Sequence, residues 1–217
     1  MEDLSFVQKI AVWALPVLFA ITLHEVAHGW VASLCGDMTA KRLGRLSLNP
    51  LHHVDPVGTL LVPGIMMLLP GGFIFGWAKP VPVDFSRLRQ PRRDMVLVAL
   101  AGPMANLLMA IGWALVTRLA MIAHTDFITQ PLAYMGMAGI AINVILMVLN
   151  LFPLPPLDGG RIAVGLLPPR LAEPFSRLEP YGFPILLTLL VTGLLPLVLS
   201  GPASALQRLL FAVAGIL

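Results

Sequence analysis

The sequence predicts an all-α integral membrane protein, a helical bundle of about four to six membrane segments. Of its 217 residues, 58% are hydrophobic and only 12% are charged, whereas soluble domains carry about 25% charged residues. The mean hydropathy is +0.88. The charged residues cluster between apolar runs, several of which approach the roughly 20 residues that a membrane-spanning helix needs. We expect residues 1–217 to form a single membrane-embedded domain.

Three apolar runs predict clear membrane-spanning helices. The first extends from about Phe6 to Leu34 and ends at the turn formed by Gly36 and Asp37. The second extends from Met95 to roughly Thr117, and the third from about Tyr134 to Leu151. Three prolines follow the third run and break its helix.

The remaining apolar regions are less regular. Val57–Gly76 is uncharged, but prolines and glycines interrupt it, so it either spans the membrane or dips in and returns. Gly182–Ser200 predicts a fourth spanning helix with a kink at Pro196, whereas Ser204–Leu217 is short for a full crossing. Pro80–Val83 has prolines at alternate positions, which predicts an extended backbone of the edge-strand type.

Charge and cysteine content exclude several classes of function. The net charge of +3 comes from basic clusters between apolar runs, so we interpret them as cytoplasmic anchors and expect no nucleic-acid partner. Cys35 is the only cysteine, which excludes an intramolecular disulfide and a cysteine metal site. Glu2 and Asp3 outweigh Lys9 before the first apolar run, which predicts a retained helix and not a secretory signal.

The first predicted helix carries the pattern H-E-x-x-H at His24, Glu25 and His28. Residues four apart lie on one face of a helix, so both imidazoles can reach one metal ion, and Glu25 can reach a metal-bound water. The alternative is a pair of histidines satisfied by a polar core. A charged group near the centre of a membrane helix costs roughly 2.5–3.5 kcal/mol, so these residues need a compensating partner. A zinc ion would supply it.

Other polar residues in or beside apolar runs have alternative interpretations. Asp158 follows the prolines on irregular backbone at membrane depth, either lining a cavity or capping the next helix. Asn106 predicts a hydrogen bond between helices. His52 and His53 are either loop histidines at the membrane surface or residues that contact a substrate or a metal ligand.

Three motifs together resemble those of the site-2 protease family, zinc metalloproteases that cut peptide bonds within or beside the membrane. They are His24-Glu25-x-x-His28, Ala-Gly-Pro-x-x-Asn at 101–106, and Asn150-x-x-Pro-x-Pro-x-x-Asp158-Gly159. The segment 44–59 is similar to that of small bacterial members. We expect a catalytic core at about 6–165, C-terminal helices at about 182–217, and no PDZ or CBS domain.

The resemblance implies a function for each matching residue. His24, His28 and Asp158 would bind one zinc per chain, Glu25 would be catalytic, and Asn150 would hold the substrate. Asn106 and His53 are further candidates for substrate contact. The expected partners are the lipid bilayer and transmembrane protein substrates.

The ligand set predicts metal-assisted peptide hydrolysis. Two imidazoles and one carboxylate leave a fourth zinc position open for water, and Glu25 would act as general base. A substrate held extended beside Pro80–Val83 would expose its scissile carbonyl. The alternative is a non-catalytic metal-binding scaffold or a transporter, but neither needs a carboxylate at position 25.

A shared metal ion also constrains topology. Asp158 must lie at the depth of His24 and His28, which requires Val57–Gly76 to be re-entrant. Nearly all basic residues then lie on one side, which the positive-inside rule makes cytoplasmic. We therefore expect a bacterial plasma-membrane protein with its N-terminus outside and its active site nearer the cytoplasmic face.

Overall fold

The computed structural model describes residues 4–61, 65, 78–123 and 129–216, and within these residues the fold is all-helical without strands. The all-α prediction is confirmed. The α-helices are α1 Phe6–Leu34, α2 Thr39–Arg42, α3 Pro91–Ala123, α4 Thr129–Asn150, α5 Asp158–Leu166, α6 Pro169–Ser176, α7 Glu179–Val191 and α8 Leu194–Ala214. Short 3-10 helical turns lie at Pro50–His52 and Phe85–Arg87, and a six-residue π-helical segment lies at Pro56–Leu61.

Among the described residues, four helices are long and apolar enough to cross a membrane, namely α1, α3, α4 and α8. The protein is an integral membrane protein. The first predicted helix has the observed bounds, because a capping box fixes its start. Ser5 Oγ accepts a hydrogen bond from the backbone of Gln8, whose side chain accepts one from the backbone of Ser5. The second and third predicted helices exist and are longer than expected.

The predicted fourth helix at 182–200 is wrong. Gly193 has φ of +76°, a left-handed conformation that ends α7 and separates it from α8. Pro196 therefore lies in the first turn of α8, where its missing N–H breaks no helical hydrogen bond. The segment after 204, expected to be short, is the second half of a 21-residue helix.

The bundle core joins α3, α4 and α8. Its buried side chains are alanines on α3 and mostly larger on the facing helices: Ala110, Ala114, Ile140, Val144, Leu210 and Ala214. A Cβ at Gly139 of α4 would lie 2.3 Å from Cγ of Trp113 on α3. The glycine therefore lets the two helices approach closely, as expected for helices packed in a membrane.

The end of α1 and the start of α3 lie side by side. The backbone N–H of Arg89 donates to the carbonyl oxygen of Cys35 at 2.9 Å, and the N–H of Lys79 donates to the carbonyl of His53 at 2.9 Å. The predicted re-entrant segment 57–76 lies outside the described residues except for 57–61 and 65. Its described flanks nevertheless meet, so the chain that leaves at His53 returns to the same place.

The expected edge strand at Pro80–Val83 is not a strand. Residues 78–84 are non-helical, but no described segment pairs with them as a β-ladder. They instead pack against α1, through contacts described below.

Candidate metal centre

Three side chains from distant parts of the sequence meet between α1 and α5. The Nε2 atoms of His24 and His28 each lie 3.3 Å from Oδ2 of Asp158. The two Nε2 atoms are 3.0 Å apart. One potential ligand atom from each residue lies within 4.8 Å of the others, a group that could hold a metal ion. The structure therefore brings together the three predicted ligands.

The loop after α4 delivers Asp158 to this position. Residues 151–157 are irregular, and α5 begins at Asp158. A Cβ at Gly159 would lie 2.2 Å from the carbonyl oxygen of Leu151, and one at Gly160 would lie 2.2 Å from the backbone nitrogen of Pro155. Only glycines let the loop fold onto the first turn of α5. The helix is not capped by the Asp158 side chain, because Leu157 occupies the N-cap position.

Hydrogen bonds fix the tautomer of both histidines. Nδ1 of His28 lies 2.7 Å from the carbonyl oxygen of Val98, which can only accept, so Nδ1 carries the proton. Nδ1 of His24 lies 2.6 Å from Oδ1 of Asn106. The amide nitrogen of Asn106 donates to the carbonyl of Ala20, so its oxygen must face His24 and Nδ1 of His24 carries the proton. Both Nε2 atoms therefore present lone pairs.

This arrangement fits a divalent cation. Oδ2 of Asp158 is buried and has no hydrogen-bond partner. Three acceptor atoms thus converge in the described site without a donor between them, which is unfavourable unless a cation lies among them. Two neutral imidazoles and one carboxylate form a common ligand set of catalytic zinc, which keeps a fourth position open.

Gly102 of α3 forms the wall opposite the imidazoles. A Cβ built there would lie 2.4 Å from Nε2 of His28 and 2.5 Å from Cε1 of His24. Real contacts of a Cβ are longer than this, so any other residue would displace the imidazoles. The Ala-Gly-Pro motif therefore supplies open space beside the ligand atoms as well as close helix packing.

The Glu25 carboxylate contacts the non-helical residues 78–84. Its Oε2 accepts a hydrogen bond from the backbone N–H of Val81 at 2.7 Å, and the residue is half-buried. The Val81 side chain is buried and lies over Gly29, where a Cβ would approach Val81 Cγ1 to 2.6 Å. Residues 78–84 thus lie directly on the H-E-x-x-H turn of the helix.

Two polar side chains hold residues 78–84 in place. Nη2 of Arg45 donates to the carbonyl oxygens of Lys79 and Pro80 at 3.2 and 3.3 Å. Oδ2 of Asp37 accepts from the backbone N–H of Asp84 at 2.7 Å. Burial alone would raise the pKa of Asp37, but hydrogen bonds from Thr39 and from the backbone of Asp84 outweigh it and hold that pKa below its ordinary value. Asp37 therefore holds the segment as a carboxylate.

With this geometry established, similarity to known proteins decides the family. Residues 12–124 and 116–192 match peptidase family M50. The chain belongs to peptidase family M50. The predicted resemblance to the site-2 protease family is confirmed, and the protein is a zinc metalloprotease of the M50 type.

Two bacterial proteins illustrate this relationship. The chain is 42% identical over 182 residues to "Putative zinc metalloprotease YwhC" of Bacillus subtilis, which covers 82% of this chain and 79% of the relative. It is 32% identical over 188 residues to "Putative zinc metalloprotease Rip2" of Mycolicibacterium smegmatis, covering 86% of this chain and 68% of that protein. No solved structure is significantly similar to the chain.

Of the remaining predicted site residues of this M50 protease, Asn106 bonds to His24, whereas Asn150 and His53 bond to backbone carbonyls. Asn150 is the last residue of α4, and its amide donates to the carbonyl of Leu146 at 3.0 Å. His52 is exposed, but His53 is only 1% exposed, so the surface alternative does not hold for His53. Nε2 of His53 lies 2.8 Å from the carbonyl oxygen of Ser47. Asn106 bonds across helices, as the sequence predicted.

Sequence reasoning missed two contacts of this site. Asn143 of α4 is fully buried and bonds to Asn106, although no recognised motif contains it. A polar residue in the middle of an uncharged spanning helix was the available signal. The Val81 N–H that contacts Glu25 had no signal, because a backbone donor leaves no mark on the sequence.

Proposed function

We propose that this M50 protease is a zinc-dependent intramembrane endopeptidase that hydrolyses peptide bonds in or near transmembrane segments of other membrane proteins. One observation carries the proposal. His24, Glu25 and His28 lie in α1, which is itself long and apolar enough to span the membrane, and Asp158 joins the two histidines from α5. The hydrolytic group therefore lies where a soluble substrate has no ready access.

The ligands have defined roles. His24, His28 and Asp158 would hold one zinc ion per chain, with Nε2 lone pairs and Oδ2 directed at it. When bound, zinc supplies a Lewis acid that polarises a carbonyl and lowers the pKa of water from 15.7 to about 7. The three side chains exchange no proton themselves, because Asn106 and the Val98 carbonyl engage the other imidazole nitrogens.

Glu25 carries the proton transfer. It would accept a proton from the attacking water as the water adds to the scissile carbonyl, and would then deliver that proton to the leaving nitrogen. The Val81 N–H holds Oε2, which leaves Oε1 to receive the proton. A carboxylate held at one oxygen points the other in a fixed direction, so Val81 orients the base.

Asn150 is proposed to contact the substrate backbone. One amide hydrogen is engaged by the carbonyl of Leu146, and the rest of the amide would bond an extended substrate. Asn106 is fully buried, and its amide bonds His24, Ala20 and Asn143. We therefore propose that Asn106 positions a ligand and does not touch substrate. The burial of His53 gives no support to substrate contact there.

Because the relatives are bacterial, we propose a location in the bacterial plasma membrane. The charge distribution supports an orientation with the site nearer the cytoplasm. The ends of α1 and α4 lead to the metal centre, and the basic residues near that side are Lys41, Arg42, Arg45, Lys79, Arg87, Arg89, Arg92, Arg93, Arg161, Arg170 and Arg177. Lys9 and Arg118 lie toward the other side. The Arg118 side chain donates to the carbonyl of Val213 at 3.0 Å, so α3 and α8 end on this second side.

The replacement Glu25→Gln tests the proposal. Gln still accepts the Val81 N–H but cannot take a proton, so cleavage of a single-span membrane substrate in liposomes should fall by roughly 10²–10⁴-fold. Zinc content should stay at the wild-type value. Glu173→Gln, at an exposed residue paired with Arg177, is the matched control and should cleave normally.

In cells, full-length single-span membrane proteins should accumulate when Glu25→Gln replaces the wild type, and these proteins would be the candidate substrates. A Glu25→Gln variant that cleaves at the wild-type rate would refute the proposed mechanism. A protein that cuts soluble unfolded peptides equally well without a bilayer would refute the intramembrane assignment.

A further inference from the structure

Asn143 is a buried polar residue that the proposed mechanism does not use directly. It lies in α4, is 0% exposed, and is surrounded by an otherwise apolar helix. Its Oδ1 accepts a hydrogen bond from Nδ2 of Asn106 at 2.9 Å, and its own Nδ2 donates to the carbonyl of Gly139 at 2.8 Å. These bonds link α4 to α3 and, through Asn106, to α1.

The donor and the acceptor of each hydrogen bond in this series are fixed. The Gly139 carbonyl can only accept, so Nδ2 of Asn143 faces it and Oδ1 faces Asn106. Asn106 then donates its two amide hydrogens to Oδ1 of Asn143 and to the carbonyl oxygen of Ala20. Its oxygen is left for Nδ1 of His24, at 2.6 Å. Backbone carbonyls of α1 and α4, at Ala20 and Gly139, thereby determine together which nitrogen of His24 is protonated.

The two histidines differ in how they are oriented. Nδ1 of His28 bonds the backbone carbonyl of Val98, which no substitution removes. His24 depends on two side chains from two other helices. Outer contacts of this kind fix the tautomer and the ring orientation of a metal-bound histidine.

We propose that Asn143 is a positioning residue of the metal centre, acting through Asn106 to keep Nε2 of His24 available for zinc. The proposal rests on the zinc site of the proposed function. It predicts that Asn143 affects metal affinity without contacting metal, Glu25 or substrate.

The experiment measures the zinc affinity of the purified full-length protein by competition with a chelator. Loss of an outer contact costs about 10–100-fold in affinity, so Asn106→Ala should lose this much and Asn143→Leu about tenfold. Asn143→Asp should stay close to wild type. Burial raises the pKa of a carboxyl that has no cation or set of N–H donors beside it, so we expect the substituted group to stay neutral, with its O–H donating to Gly139 and its carbonyl accepting from Asn106. The absorption spectrum of the cobalt-substituted protein should change in Asn106→Ala and Asn143→Leu but not in Asn143→Asp.

Controls separate positioning from general stability. Thr117→Val removes a buried hydroxyl of α3 that bonds within its own helix, so zinc affinity should not change. In the Asn106→Ala background, Asn143→Leu should cause no further loss of zinc affinity, because the effects of residues that act through one series of hydrogen bonds are not additive. Thermal unfolding of each metal-free variant verifies that it folds.

Three results would overturn the proposal: wild-type zinc affinity in Asn143→Leu, additive losses in the double variant, or a tenfold loss in Asn143→Asp as well. If Asn143→Leu does not fold, the Asp variant and the Asn106→Ala background still decide. A wild-type protein that binds no zinc would instead refute the proposed function.

Discussion

The backbone N–H of Arg89, two residues before α3, donates to the carbonyl oxygen of Cys35, the C-cap residue of α1. Since α1 and α3 are both long enough to span the membrane, this contact indicates that they run in opposite directions. The end of α1 and the start of α3 then lie on the same side of the membrane.

Cysteine labelling tests this topology. In a Cys35→Ser background, single cysteines at Lys41 and Gln90, both exposed, should react with an impermeant reagent from the same side of the membrane. Cysteines at Ser5 and Gln130, also exposed, should react from the other side. The positive-inside rule predicts that the first pair is cytoplasmic. Labelling of Lys41 and Gln90 from opposite sides would contradict the arrangement.

Removal of the carboxylate ligand should empty the metal centre. Purified wild-type protein should contain about one zinc per chain, and Asp158→Ala should contain much less, because two imidazoles alone do not complete the three-ligand set of a catalytic zinc. Metal content is measured by atomic spectroscopy after gel filtration. Glu173→Ala, which removes an exposed carboxylate, is the control. Full zinc retention in Asp158→Ala would exclude Asp158 as a ligand.

Gly102 and Gly112 form a matched pair within α3. Gly102→Ala places a methyl group against both imidazoles, whereas a Cβ at Gly112 meets no atom within 4 Å. We expect Gly102→Ala to lower zinc affinity by roughly tenfold or more, as lost ligand positioning does. Gly112→Ala should bind zinc normally and gain about 0.4–1 kcal/mol of stability. Equal zinc affinity in the two variants would mean that the imidazoles do not need this space.

The Val81 N–H should matter for turnover more than the Val81 side chain. Val81→Pro removes the donor to Glu25, and a hydrogen bond to a charged group contributes about 1.5–3 kcal/mol. We therefore expect kcat to fall roughly ten- to hundredfold with zinc still bound. Val81→Ala keeps the N–H and should retain most of kcat. A greater loss in Val81→Ala would show that packing over Gly29 is the important contact.

The sequence predicted those features that depend on local spacing. The bounds of α1 follow from an apolar run between a capping serine and a glycine turn, and His24 and His28 meet because they are four apart on a helix. The helix at 182–200 was mispredicted because hydropathy is continuous across Gly193, whereas backbone conformation is not.

The contacts that tune the site could not be predicted in this way. Asn106 and Asn143 lie on different helices, so their bond depends on how the helices pack. The Val81 donor belongs to the backbone, which is the same at every residue except proline. The ligands were visible in the sequence, but most of the contacts that orient them were not.

The distribution of the ligands along the chain has a consequence for synthesis. A ribosome makes His24 and His28 well before it makes Asp158, and α3 and α4 are inserted in the interval. At about 5–20 residues per second, this delay is on the order of ten seconds. During that time the nascent chain holds only two of its three proposed zinc ligands. If all three ligands are needed for hydrolysis, as we propose, the protease becomes active only when α5 docks onto the assembled bundle.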